Sequence, residues 1–363
     1  MNFDYSDEQK MLKEEARRFL GARCDTAVVR GVLDDDDRHH DDALWRAIAA
    51  QGWLGAAIPE AYGGLGLGHF ELCALAEELG RTLAPVPFAS TVYFVAEALM
   101  LLGSEEQKTR WLPKIAAGEV IGAFATSEGP GAVAPGRIAT RVADGRLSGT
   151  KIPVTDGQIA DLLVVLADDG LYLVEGPVAA EPLATLDPTR AAARIVFDSV
   201  PAERLGDEDG FAAMQAVFDR AAVLLAFEQL GGADRALEMA KDYALQRHAF
   251  GRAIGGYQAI KHKLADIYVK NEIARSNAYY GAWALGSGAA ELPLAAATAR
   301  VAASEAYWFA AKENIQTHGG IGFTWEADPQ LHYRRSRQLA LVAGAPAVWR
   351  ERLVAQLERR NAA

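Results

Sequence analysis

Cysteine is nearly absent from this chain, with only Cys24 and Cys73 among 363 residues. The two have no metal-ligand spacing and fall in predicted helices, so the pattern excludes a disulfide scaffold and leaves buried free thiols in a reducing compartment. Positive charge is also in deficit. Lys plus Arg total 37 against 48 Asp plus Glu, and the net charge of −11 opposes a broad nucleic-acid or anionic-membrane surface while leaving room for a local basic pocket. No apolar run approaches the ~18 residues of a membrane span. The opening stretch MNFDYSDEQKMLKEEARRFL lacks the basic and apolar regions of a signal peptide, so a cytoplasmic location is expected.

Half of the residues are apolar and 23% are charged, which suits a large buried core. At ~150 residues per domain, two or three structural units are expected. Three textures divide the sequence. Over 1–118 apolar residues recur at helical spacing, beginning at a capping box formed by Ser6 and Gln9. Short β-branched runs such as ADLLVVLAD and ARIVFDSV, separated by Gly, Asp and Pro, fill 119–207 and predict a small β-barrel-like domain. From 208 to 363 the pattern predicts four helices, at about 209–246, 256–286, 292–317 and 328–359, arranged as a bundle. The acidic DDDDRHHDD at 34–42 reads as a solvated loop, since nothing in the sequence fixes a metal geometry there.

Five motifs stand in order along the chain: PEAYGGLGLG, EELGR, GSEEQKTRWLPKIAAGEVIGAFATSE, QRHAFGRAIGGYQAIKHKLAD and QTHGGIGFTWE. Together they resemble the acyl-CoA dehydrogenase family over essentially the whole length. The resemblance implies a mainly α fold with a central β-domain and a C-terminal bundle. It also implies FAD as cofactor, an acyl-CoA substrate, an electron-transfer flavoprotein as acceptor and a dimer-of-dimers assembly in which one FAD is completed by two chains. No metal, nucleic acid or membrane is implied.

By the same resemblance Arg247 meets the FAD pyrophosphate, a task suited to a guanidinium fork, and Phe250, Gly251 and Gln258 follow in matching places. Gln316, Gly319 and Gly320 match positions where backbone approaches the partner's dinucleotide, and Gly322 serves the turn. The plain alternative is that these glycines only cap a helix. Ser127, in TSEGPGAVAPG, and Thr155, in PVTDG, match hydroxyls that face the flavin, although Val133 and Pro153 replace the serine and the aromatic residue of the family pattern. Strand-end hydroxyls bonded to backbone are the alternative for both. Asp219 matches a position near the CoA pantetheine or is a helix-surface charge.

The family reaction needs a carboxylate to remove the α-proton of the thioester. Its two usual positions are occupied here by Ala343 and by Ala221, 26 residues before Arg247. With Ala222 and Ala345 they suggest either spare volume for a bulky or ring-bearing acyl group, as in fatty-acid or steroid side-chain degradation, or an unused pocket. Glu228 is the remaining catalytic candidate. It shares the apolar face of Ala221 and Leu225, and a buried carboxylate requires a partner, for which His262 and Gln258 on the next helix are placed. Three functions follow: a self-sufficient dehydrogenase with a relocated base, a base-lacking subunit of a heteromeric dehydrogenase, or a flavoenzyme of the same fold acting on a non-CoA substrate.

Overall fold

The predicted capping box closes: the Gln9 amide donates to Ser6 Oγ at 3.2 Å and the Ser6 amide to Gln9 Oε1 at 2.9 Å. It starts α1 (Asp7–Arg23) in a computed structural model that describes residues 5–362. The first four residues of the stretch argued above not to be a signal peptide lie outside the described residues. Then come α2 (Thr26–Leu33), α3 (Asp42–Ala50) and α4 (His69–Arg81). A π-helical segment at Ala89–Ala96 runs into α5 (Glu97–Leu102), and α6 (Glu105–Ala116) follows, begun by a second capping box at Ser104 and Gln107. Within the acidic loop, Asp41 caps α3 through the Leu44 amide at 2.7 Å and pairs with Arg38.

The central strands form open sheets and no closed barrel, which corrects the barrel-like expectation. β1 (Gly122–Ala125), β4 (Leu162–Leu166), β5 (Leu171–Glu175) and β8 (Glu203–Leu205) make one sheet in that order, with only β1 and β4 parallel. The other, antiparallel, runs β2 (Arg141–Ala143), β3 (Arg146–Thr155), β7 (Ala192–Pro201) and β6 (Ala180–Pro182). Leu147 and Val154 of β3, Leu163 and Val165 of β4, Val174 of β5 and Ile195 and Phe197 of β7 share one buried core. Alternation along β7 gives that strand one face to the core, while two register shifts interrupt the alternation of β3.

The long α7 (Gly210–Gln246) leads to the short hairpin of β9 (His248–Ala249) and β10 (Arg252–Ala253). Next are α8 (Gln258–Ser287) and α9 (Leu292–His318), which pack along alanine-rich faces. The last expected helix is two, α10 (Pro329–Leu341) and α11 (Pro346–Ala362), broken where Ala343 takes φ 60° and Gly344 φ 105°. Contrary to the sequence reading, α7 is long and apolar enough to cross a membrane by length and composition, but 72% of its apolar window is buried in the fold.

The chain divides into two compact units: one contains residues up to Ala27, Cys73–Ala84 and those from Ala222 onward, and the other contains Val28–Leu72 and Pro85–Ala221. Cys24 and Cys73 are buried free thiols.

Inside the first unit, α4 and α7 meet backbone to backbone. A Cβ on Gly80 would fall 1.8 Å from Glu228 O, and one on Gly231 would fall 1.7 Å from Glu77 O. The glycines of EELGR and QLGGA are therefore contact points between helices. We expect Gly231→Ala to destabilise at or above the ~3 kcal/mol upper range of overpacking, read from urea unfolding.

His332 of α10 is buried, with Nδ1 3.0 Å from the Tyr307 hydroxyl of α9. Desolvation, aided by the nearby cations Arg235, Arg335 and Arg81, holds its pKa at about 3, below the ordinary 6.5. Between those two pH values the unfolded chain binds a proton that the folded chain refuses, so stability present above 6.5 is lost as pH falls through this window. His332→Gln should flatten that acid limb in pH-dependent urea unfolding, by up to a few kcal/mol at ~1.4 kcal/mol per pH unit.

Candidate functional site

The residues assigned to FAD by resemblance fall in two groups. In the first unit, Arg247 lies just past the end of α7, Phe250 and Gly251 form the tip of the β9–β10 hairpin, and Gln258 opens α8. The Tyr257 hydroxyl donates to Ala249 O at 3.0 Å, tying the start of α8 to that hairpin. Tyr243, one turn before Arg247, stacks on His318 with ring centroids 4.1 Å apart. That contact joins the α7 terminus to the α9 terminus, where Gln316, Gly319 and Gly320 lie exposed.

Local packing explains some of these glycines. Gly322 is packed, since a Cβ there would lie 2.7 Å from Ile315 O, and Gly319 takes φ 68° and ψ −144°, a conformation suited to glycine. Gly320 has neither reason: its φ is ordinary and a Cβ would meet nothing within 4 Å. Nothing in its own packing requires the side chain to be missing. The Arg247 guanidinium is exposed and has no carboxylate within salt-bridge distance among the described residues. Phe250 is 97% exposed at φ 52°. An unpaired guanidinium, an exposed ring and open backbone suit a dinucleotide with its pyrophosphate.

In the second unit, Ser127 follows β1 and Thr155 ends β3, both half-buried. Ser127 Oγ donates to Gly129 O at 3.0 Å and accepts from the Gly129 amide at 3.5 Å, local turn bonds that leave one further lone pair on the hydroxyl oxygen. Asp219 is buried and has a partner, so it is not a helix-surface charge. Beside it, Arg220 carries a contact the sequence reading missed. Its Nε donates to Glu97 Oε2 at 2.6 Å, while His69 Nε2 lies 2.8 Å from Glu97 Oε1. Desolvation pushes the fully buried Glu97 carboxyl up, but its bonds with His69 and the Arg220 guanidinium outweigh it and hold the pKa below the usual range. The lone glutamate in the apolar run FVAEALMLL was the available signal.

The base positions are empty of carboxylate. Ala221 is fully buried in α7, and Ala343 sits half-buried in the α10–α11 turn, where its carbonyl accepts from Trp349 Nε1 at 3.1 Å. Glu228 is buried as expected, but its expected partner is corrected: His262 lies exposed on α8, and Arg335 of α10 places Nη1 3.8 Å from Glu228 Oε1. Behind this pair, Arg300 of α9 donates to Gln229 Oε1 at 2.6 Å, to Val342 O at 2.8 Å and to Leu339 O. Burial lowers the Arg300 pKa to about 9 against the opposing field of Glu228. Glu228 thus belongs to a buried charge network that also fixes the turn bearing Ala343.

Residues 6–119 match the family described as acyl-CoA dehydrogenase, N-terminal domain, and residues 208–358 match acyl-CoA dehydrogenase, C-terminal domain. The chain is 37% identical over 343 residues to acyl-CoA dehydrogenase IpdE2 of Mycobacterium tuberculosis, covering 94% of each. Among solved structures, the Tcur3481-Tcur3483 steroid ACAD G363A variant superposes with a TM-score of 0.90 at 33% identity, over 98% of this chain and 99% of that one. The ChsE4-ChsE5 complex of Mycobacterium tuberculosis gives 0.89 at 26%, over 99% of each chain. The motifs, the helical fold with its small sheets and these relatives converge: the chain belongs to the acyl-CoA dehydrogenase family.

Proposed function

We propose that this chain is an FAD-binding, base-lacking subunit of a heteromeric acyl-CoA dehydrogenase that oxidises the α,β-bond of a bulky, ring-bearing acyl-CoA. One observation carries the reading: both usual base positions are alanine, and Glu228, the remaining candidate on α7, is buried with Arg335 Nη1 3.8 Å away. The solved relatives include a steroid ACAD named for two chains and a two-chain ChsE complex, which support both the pairing and the substrate class.

When bound, FAD supplies the acceptor for the hydride leaving Cβ. Arg247 pairs with the pyrophosphate, and Phe250, Gly251 and Gln258 complete its surroundings. Gln316 and the bare backbone of Gly319 and Gly320 receive the dinucleotide of a neighbouring chain. Ser127 and Thr155 offer hydroxyls to the flavin ring, and Asp219 lies toward the pantetheine. Removal of the α-proton falls to a carboxylate of the partner chain. An electron-transfer flavoprotein would serve as the electron acceptor in the cytoplasm, and the assembly would be a dimer of dimers.

Titrating an acyl-CoA panel into the purified chain, alone and co-expressed with a base-bearing homologue, tests the reading through flavin absorbance. The isolated chain should carry oxidised flavin that no thioester bleaches, and the heteromer should bleach. Bleaching by the isolated chain would overturn the base-lacking assignment.

Replacing Arg247 by Ala removes a charge-assisted donor worth ~1.5–3 kcal/mol, so flavin affinity should fall about 10- to 100-fold. The flavin-to-protein absorbance ratio after gel filtration measures it. In contrast, Glu228→Gln should lower unfolding stability by about 3–5 kcal/mol, because Arg335 loses its buried partner, while leaving flavin reduction in the heteromer within a few-fold of wild type. A loss of ~10²-fold or more in that reduction rate would instead restore Glu228 as the base.

A further inference from the structure

The segment following β1 is fastened to β3 chiefly through Glu128. Beyond Glu128, glycines 129, 131 and 136 all have positive φ, and a Cβ on any of them would meet nothing within 4 Å. These glycines lend the segment no packing to define its course. Glu128 instead accepts from the Ala139 amide at 2.7 Å, the Thr140 amide at 2.9 Å, Thr140 Oγ1 at 2.6 Å and Lys151 Nζ at 2.8 Å. Lys151 projects from β3 with a fully buried side chain and donates also to Thr126 O at 3.2 Å. The next amide, of Ile152, donates to Ser127 O at 2.8 Å. Residues 126, 127 and 128 are therefore each fastened to β3, the strand that ends in Thr155.

A buried ammonium is unfavourable unless it is paired, so Lys151 has one stable arrangement, with Glu128 against it. Space for that arrangement is kept by Gly149, where a Cβ would lie 2.5 Å from Thr140 Oγ1. We propose that Glu128 and Lys151 are positioning residues for the flavin ring: they lock the Ser127 segment to the Thr155 strand and so fix the spacing of the two hydroxyls. The proposal rests on the reading of Ser127 and Thr155 as flavin contacts. A purely structural ion pair would stabilise the fold without altering how flavin is held. Desolvation acts to raise the Glu128 pKa, but the bonds from Lys151, Thr140 and the two amides outweigh it and hold it at about 2, so Glu128 stays charged throughout the neutral range, while burial lowers the Lys151 pKa against the opposing pull of Glu128.

Glu128→Gln, Lys151→Met and the double variant, prepared with the same partner chain as wild type, test the proposal at matched temperatures below each melting point. Two readouts are taken: visible circular dichroism and retention of bound flavin, and hydrogen exchange of segments 126–131 and 152–157. Each single variant should exchange at least ~10-fold faster in both segments and bind flavin at least ~10-fold more weakly with an altered visible spectrum, while the double variant, which removes both charges, recovers part of each loss. Unchanged flavin spectrum and retention in folded single variants would overturn the positioning role, and so would faster exchange in one segment alone. A wild type that carries no flavin even with its partner would instead refute the flavin reading, with the exchange data still deciding whether Glu128 couples the two segments.

Discussion

The first compact unit depends on the backbone contact between α4 and α7 at Gly80 and Gly231. Helices that approach so closely bury whatever flanks the crossing, and here the flanking residues include Glu77, Glu78 and Glu228. Carboxylates removed from water require cations. They come from every side: Lys13 and Arg275 to Glu77, Arg17 to Glu78, and Arg335 to Glu228. Desolvation drives the Glu77 pKa upward, yet Lys13 and Arg275 reverse the sign and keep it ionised. Thus α1, α8 and α10 are drawn onto one crossing by charge as well as by apolar area, and a chain of net charge −11 keeps part of its acidity inside.

The second unit repeats the arrangement with other residues. Glu97, completely buried at the start of α5, is held by His69 and Arg220, and Asp156, at φ 56° after β3, accepts from Ser90 Oγ at 2.6 Å with Arg190 at 3.7 Å. Buried polar groups of this kind are destabilising when half satisfied and orienting when fully satisfied. Both clusters involve residues next to positions of interest, Arg220 beside Asp219 and Asp156 beside Thr155.

Cofactor binding and proton abstraction make different demands on a sequence, and the chain has treated them differently. On the proposed reading, dinucleotide binding would be spread over backbone and side chains at several helix ends, through Arg247, Gln258, Gln316, Gly319 and Gly320. Proton abstraction needs one carboxylate at one place, and a single replacement by alanine removes it. The turn bearing Ala343 is nevertheless held firmly, by Arg300 from behind and by Trp349 from α11.

Sequence alone determined the local signals and the family. The capping box at Ser6, the helix, strand and helix order and the paired alanines at 221 and 343 were legible because each depends on near neighbours or on motif spacing. It also placed Glu228 on a buried face, since helical phase is a local property. Only tertiary structure decided what that carboxylate touches: His262 turned outward, and the partner came from Arg335, 107 positions along the chain. The same limit applies to the glycines of EELGR and QLGGA, whose purpose appears only when the two helices cross, and to the break at 342–345, where a continuous periodic pattern hid a turn stabilised by Arg300. Open sheets in place of a barrel follow for a like reason, because strand closure depends on pairings between distant segments that alternation within one strand does not encode.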